Sequence, residues 1–244
     1  MLATGAKVTI NRRFYAGFAV CAFLIVFAGF AHSYYLRLLF ETQALPVLLH
    51  LHGFLFTTWF VLFFVQARLV ARHRVDLHRK LGVLAAIWAP LCACVAIRVS
   101  FNAGRRAFLA DPMSIARSQQ AAAMDFGTAL MFLVLVAIAL YLRRRPEYHK
   151  RMMVLACCSI LLPAIGRIPA SANTVLFDAV GFWGLVAITE AAPLTCILYD
   201  TIKHRRLHPA FGWGGAVLLA SLPVFMLVGA SPAWFKFLSW LVSQ

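Results

Sequence analysis

Asp76-Leu77-His78-Arg79-Lys80, followed by Leu81-Gly82-Val83-Leu84-Ala85-Ala86-Ile87-Trp88-Ala89-Pro90-Leu91-Cys92-Ala93-Cys94-Val95-Ala96-Ile97, is a short ionic elbow leading into an uncharged run that closes on Arg98. The run carries no alternation of polar and apolar faces. A stretch approaching 20 apolar residues is what a helix needs to cross about 30 Å of hydrocarbon. Its backbone groups must then be satisfied within the segment, which requires a helix.

The same pattern recurs along the chain. Glu147-Tyr148-His149-Lys150-Arg151 precedes Val154-Leu155 as Asp76 to Lys80 precedes Val83-Leu84. Downstream, Ala96-Ile97-Arg98-Val99 with Ser100 and Asn102 parallels Ala164-Ile165-Gly166-Arg167-Ile168 with Ser171 and Asn173. A repeat of whole helical hairpins is the economical reading.

Composition agrees. Of 244 residues 63% are hydrophobic and only 13% charged, far from the balance of a soluble domain. Spans are expected at about 14–36, 46–70, 81–98, 121–142, 152–168, 174–199 and 210–230. The expected fold is all-α: one integral membrane domain over 1–244, a seven-helix bundle of repeated hairpins. Pro90, Pro163 and Pro193 should bend their helices. The tail Pro232-Ala233-Trp234-Phe235-Lys236-Phe237-Leu238-Ser239-Trp240 is too short to cross and suits an interfacial helix. The first apolar run is longer than a signal-peptide core, so a retained span is expected.

The net charge of +15 does not indicate nucleic acid, because Lys and Arg cluster between spans instead of covering a face. With the N-terminus inside, 16 of the 23 Lys and Arg fall on the inner side. The positive-inside rule thus predicts an inner-membrane protein with a cytoplasmic N-terminus and a periplasmic C-terminus. Membrane lipid is the expected partner, alongside a possible membrane-protein partner. The 98–120 connection is the longest outer loop, with Asp111-Pro112 marking a turn. Cys21, Cys92, Cys94, Cys157, Cys158 and Cys196 all fall within spans and read as small buried hydrophobes.

Several side chains could carry chemistry. His78 and His149 open spans three and five at the inner surface, where two neutral imidazoles could ligate the iron of haem b. Arg79, Lys80, Lys150 and Arg151 would then face the propionates, and Asp76 and Glu147 would orient the rings. Topology and lipid contact explain the same elbows without any ligand. On the outer side His32, His50 and His52 form a second group, in which His50 and His52 point to different faces. The third elbow, Asp200 to Pro209, holds His204 and His208 but reads mostly as a turn. Within the spans Arg98 or Arg167 is placed to neutralise Asp125 or Asp178. Glu190 lacks a cation at its depth and is expected either in a polar core with Thr57, Thr58, Gln66 or Thr189, or on a proton or substrate path.

His50-Leu51-His52-Gly53, Trp59 with Gln66, Asp76 to Gly82, and Arg206-Leu207-His208-Pro209-Ala210 resemble a group of bacterial multi-pass membrane proteins of unassigned activity. The His-Arg-x-Leu-Gly opening is also similar to bacterial families suspected of binding haem. The resemblance implies a bacterial inner-membrane protein and no settled activity; the sharpest reading of the residues themselves is a haem-binding redox or haem-handling protein with an inner site of His78 and His149. The alternatives are a small-molecule, lipid or proton transporter, or an accessory subunit of a membrane complex. Whether the chain is an enzyme stays open.

Overall fold

The computed structural model describes the backbone of residues 2–40, 44–110, 115–172 and 174–242, and side chains over 14–40, 44–106, 119–168, 181, 184 and 186–241. Every regular element among these residues is helical. In chain order they are α1 Leu2–Phe30, a π-helical turn Ala31–Tyr35, α2 Val47–Ala71, α3 Val75–Ala110, α4 Ile115–Tyr141, a 3-10 turn Leu142–Arg144, α5 Pro146–Ser159, α6 Leu162–Ala172, α7 Thr174–His204, α8 Pro209–Gly229 and α9 Pro232–Val242.

Local chemistry sets the ends. α5, α8 and α9 each begin on a proline, whose missing N–H would be unpaired there anyway. His208 caps α8, its Nδ1 accepting from the Ala210 amide at 3.1 Å, and Ser231 Oγ accepts from the Trp234 amide at 3.2 Å to cap α9. α2 ends where His73 takes φ 60, and α7 ends where Arg205 takes φ 52. Both are left-handed terminations that glycine usually supplies.

Among the described residues five helical segments are long and apolar enough to cross a membrane: Phe14–Tyr35, Val47–Ala71, Val75–Arg106, Gln119–Arg144 and Pro209–Gly229. Pro146–Ser159 with Leu162–Ile168 makes a sixth if read as one broken span. Large apolar side chains lie open along these helices, among them Leu24, Val83, Ile87, Leu130 and Leu227, each more than half exposed. Water would not tolerate that much open apolar surface, whereas lipid matches it.

One expectation changes. The 98–120 connection is largely helix, since α3 continues to Ala110 and α4 starts at Ile115. Arg98 lies over the Phe101 ring at 5.6 Å, and Arg105 and Arg106 are exposed. Asp111-Pro112 lies outside the described residues. Pro90 and Pro193 sit inside α3 and α7, and α7 takes non-helical dihedrals at Gly181 (φ 63). The break near Pro163 precedes it at Ile160–Leu161, leaving the proline in the first turn of α6.

The chain divides into two compact units, the first Met1–Cys92 with Leu161–Ala192, the second Ala93–Ile160 with Pro193–Gln244. In the first, α2 buries Leu55, Trp59, Phe60 and Phe63. Trp88 Nε1 on α3 donates to the Leu55 carbonyl at 2.9 Å, and Cys92 Sγ reaches the same oxygen at 3.6 Å. Gly29 lets α1 lie directly on the Ala164 backbone of α6. In the second, Phe132, Leu135, Met152, Leu155 and Phe211 from α4, α5 and α8 form the core. Gly214 admits Met152 and Leu155, Gly127 receives the Phe225 ring, and Trp234 of α9 donates to the Gln119 carbonyl at 3.0 Å. Small residues at helix contacts are the usual device of membrane bundles.

Candidate functional site

The densest polar arrangement lies at one end of the second unit, where α5, the end of α7 and the start of α8 meet. Glu147 occupies the first turn of α5, and one turn later Arg151 points back into the bundle with a side chain only 1% exposed. A guanidinium at that depth needs carboxylates. Asp200 on α7 supplies them as a fork, taking Nε at 2.9 Å and Nη2 at 2.7 Å. Arg151 Nη1 donates to the Glu147 carbonyl at 2.8 Å and to its Oε2 at 2.6 Å. Phe211 lies under the guanidinium at 5.7 Å. Lys150 takes the other Glu147 oxygen at 2.7 Å.

Three histidines surround this pair. His149 Nδ1 is 2.8 Å from the Ala139 carbonyl, and His204 Nδ1 is 2.8 Å from the Asp200 carbonyl. A carbonyl only accepts, so both rings donate from Nδ1. His208 has the opposite assignment, because its Nδ1 accepts from the Ala210 amide. Its ring meets Tyr148 edge-on at 4.8 Å.

Burial, then the Arg151 guanidinium, hold His208 below the usual imidazole range, against the carboxylates of Asp200 and Glu147. A group with a lowered folded pKa contributes stability above its unfolded value, near about 6.5, and loses it as pH falls through the folded one. Acidification should therefore uncap α8. The melting temperature of the wild type is expected to fall between about pH 7 and 5 more steeply than that of His208→Asn, whose cap cannot protonate. Parallel melting curves would remove His208 from the acid response.

Other expected residues are placed separately. Arg151 was read as a propionate partner and Glu147 as the orienter of His149; the structure commits Arg151 to Asp200 and Glu147, and orients His149 by a backbone carbonyl. The parallel elbow differs. His78 lies in the first unit, half-buried, while Asp76 pairs with Arg74 at 3.6 Å on the surface and Arg79 and Lys80 are exposed. Lys80 stands where Arg151 stands in the second elbow, yet only the latter is buried.

In the first unit His50 is exposed, its backbone carbonyl taking the Tyr34 hydroxyl at 3.2 Å and its Nε2 lying 3.5 Å from Arg37 Nη1. His52 turns inward against Phe56 at 4.6 Å, and His32 packs on Phe40 at 4.6 Å. Arg167 lies over Phe30 at 4.8 Å and donates to the Pro163 carbonyl. Asp125 is exposed on α4, and the Asp178 side chain lies outside the described residues. Asn173, a member of the downstream repeat, and the Ser171 side chain do so too. Glu190 is half-buried on α7 beside buried Thr189. Thr57 is engaged elsewhere, with Tyr35 at 2.7 Å and the Gly53 carbonyl at 2.6 Å.

The Arg151–Asp200 pair was missed in the sequence, where 49 residues separate its members. Its signal is an arginine one helical turn after an acid in an elbow, matched by a lone acid near the end of a later apolar run. Among the described residues no group of three or more His, Cys, Asp or Glu is arranged to hold a metal ion. No protein-family model, curated protein or solved structure matches the chain significantly.

Proposed function

We propose that the chain is a bacterial inner-membrane protein with seven spans built from hairpin repeats, an inside N-terminus and a terminal interfacial helix, and that its elbow imidazoles handle haem b. The reading is supported chiefly by the hydrogen bond from His149 Nδ1 to the Ala139 carbonyl. An imidazole whose second nitrogen is tied to a carbonyl has its tautomer and ring plane set for iron, the arrangement usual for metal-ligating histidine. Bound haem would supply one-electron chemistry or be the cargo itself, and His149 and His78 are assigned as ligands on their separate elements. Arg151 does not fit a propionate, because its donors are committed to carboxylates.

Detergent-purified protein should show a Soret band. His149→Ala should lower the haem-to-protein ratio by at least about tenfold, since even second-shell losses at metal sites reach that size. Colourless protein, or an undiminished band in both His149→Ala and His78→Ala, ends this reading. A transport role is the alternative. It is favoured by the positive φ of Gly181 inside α7, which interrupts the helix that carries half-buried Glu190. Interrupted helices near a titratable acid are how many transporters build a midplane path.

A further inference from the structure

At the same end of the second unit, the turns on either side of the buried pair carry Arg143, Arg144, Arg145, Arg205 and Arg206, all exposed. Tyr148, three residues after Arg145, meets His208, two residues after Arg206, ring edge to ring face at 4.8 Å. The acids of this corner are already taken, Asp200 by Arg151 and Glu147 by Arg151 and Lys150. Among the described residues none of the five arginines has an ion pair, and Arg143 makes only a bond to the Leu140 carbonyl at 3.2 Å. The corner is thus a surplus of guanidinium, the side chain whose planar fork matches phosphate oxygens two at a time.

Backbone conformation adds an independent observation. Arg205 holds φ 52, a left-handed value that glycine adopts at no steric cost and a long side chain does not. Topology alone does not require an arginine there, because 15 other Lys and Arg fall on the inner side. A charge kept on a strained helix termination is better explained by something it touches.

We infer that Arg143, Arg144, Arg145, Arg205 and Arg206 form a binding corner for the phosphate of an anionic glycerophospholipid headgroup, of the phosphatidylglycerol class. The inference rests on the inner-side placement proposed above and not on haem. Phosphate oxygens would bridge the two turns, and the acyl chains would follow the open apolar faces of α7 and α8, where Leu198, Ile202 and Val217 are exposed. Neutral headgroups offer a phosphate offset by an ammonium, so the corner should discriminate against phosphatidylcholine.

The full chain in detergent is titrated with dioleoyl phosphatidylglycerol, with dioleoyl phosphatidylcholine and with inorganic phosphate, and melting temperature is followed. Phosphatidylglycerol alone should raise it. Arg205→Gly should leave lipid-free melting equal or higher, because the left-handed strain is relieved, yet shift the lipid midpoint about fivefold to weaker binding. Arg144→Gln with Arg145→Gln should weaken it about fivefold for each charge removed. An equal loss from Arg105→Gln with Arg106→Gln on α3 would overturn the localised corner, as would unchanged midpoints in both corner variants. A matching shift from inorganic phosphate would overturn the lipid assignment. A reporter fused at the C-terminus tests sidedness separately: misplaced orientation with an intact lipid response refutes the topology and keeps the corner.

Discussion

Asp200→Ala is expected to destabilise the protein by about 3–5 kcal/mol, the usual cost of leaving a buried charge without its partner. The reason lies in exposure. Arg151 and Asp200 have side chains 1% and 5% exposed, whereas the Glu147 side chain is 57% exposed. Without Asp200, the Arg151 Nε and Nη2 donors face protein and have no carboxylate. Arg151→Ala should be comparably severe, because it strands Asp200 with only His204 at 3.5 Å. Glu147→Gln should cost under about 1 kcal/mol, since solvent screens that pair. Replacing both buried partners, Arg151→Met with Asp200→Leu, should recover much of the loss, because two apolar groups leave no charge to strand. Thermal melts of these variants in detergent measure the losses, and adding Arg151→Ala with Asp200→Ala closes a double-mutant cycle that gives the coupling. Singles that melt with the wild type would show that the pair contributes nothing to stability.

Gly29→Ala should produce the second large effect. A Cβ at this position would overlap the carbonyl of Ala164, and Ala164 Cα would be 2.9 Å away. The obstacle is backbone and not a side chain that can rotate, so α1 and α6 must separate. Overpacking of this kind typically costs about 1–3 kcal/mol. Gly17 lies in the same helix with nothing within 4 Å of its notional Cβ. Gly17→Ala should therefore be neutral or stabilising, by up to about 1 kcal/mol through helix propensity. Melting temperatures in one detergent decide the matter, and equal values for the two alanine variants would discard the close-approach argument.

The apolar runs made most of the helices legible. Spans expected at 46–70 and 210–230 appear as Val47–Ala71 and Pro209–Gly229, because uncharged length and flanking proline are local properties. The continuation of α3 past Arg98 was not legible, since a helix carrying Arg98, Arg105 and Arg106 has the charge density of a loop. Gly181 was hidden for the opposite reason: inside an apolar run, nothing local distinguishes a glycine that packs from one that breaks the helix.

The candidate site was half visible. Its elbow, its histidines and its neighbouring cations could be read directly, because motif and spacing are contiguous. Which cation would be buried could not, because Lys80 and Arg151 occupy equal places in similar phrases and differ only through what packs above them. Asp200 is the difference for Arg151, and it arrives from another helix.

The division of the chain into two units, each made of separated segments, bears on how the protein is manufactured. The first unit lacks α6 and the beginning of α7 until residue 192 has been synthesised, with 68 intervening residues already out of the ribosome. Arg151 emerges before Asp200, its buried partner, and Gln119 waits for Trp234, 115 residues later. Packing of each unit must therefore finish late, and until Asp200 arrives Arg151 has only the Glu147 carboxylate of its own helix to pair with.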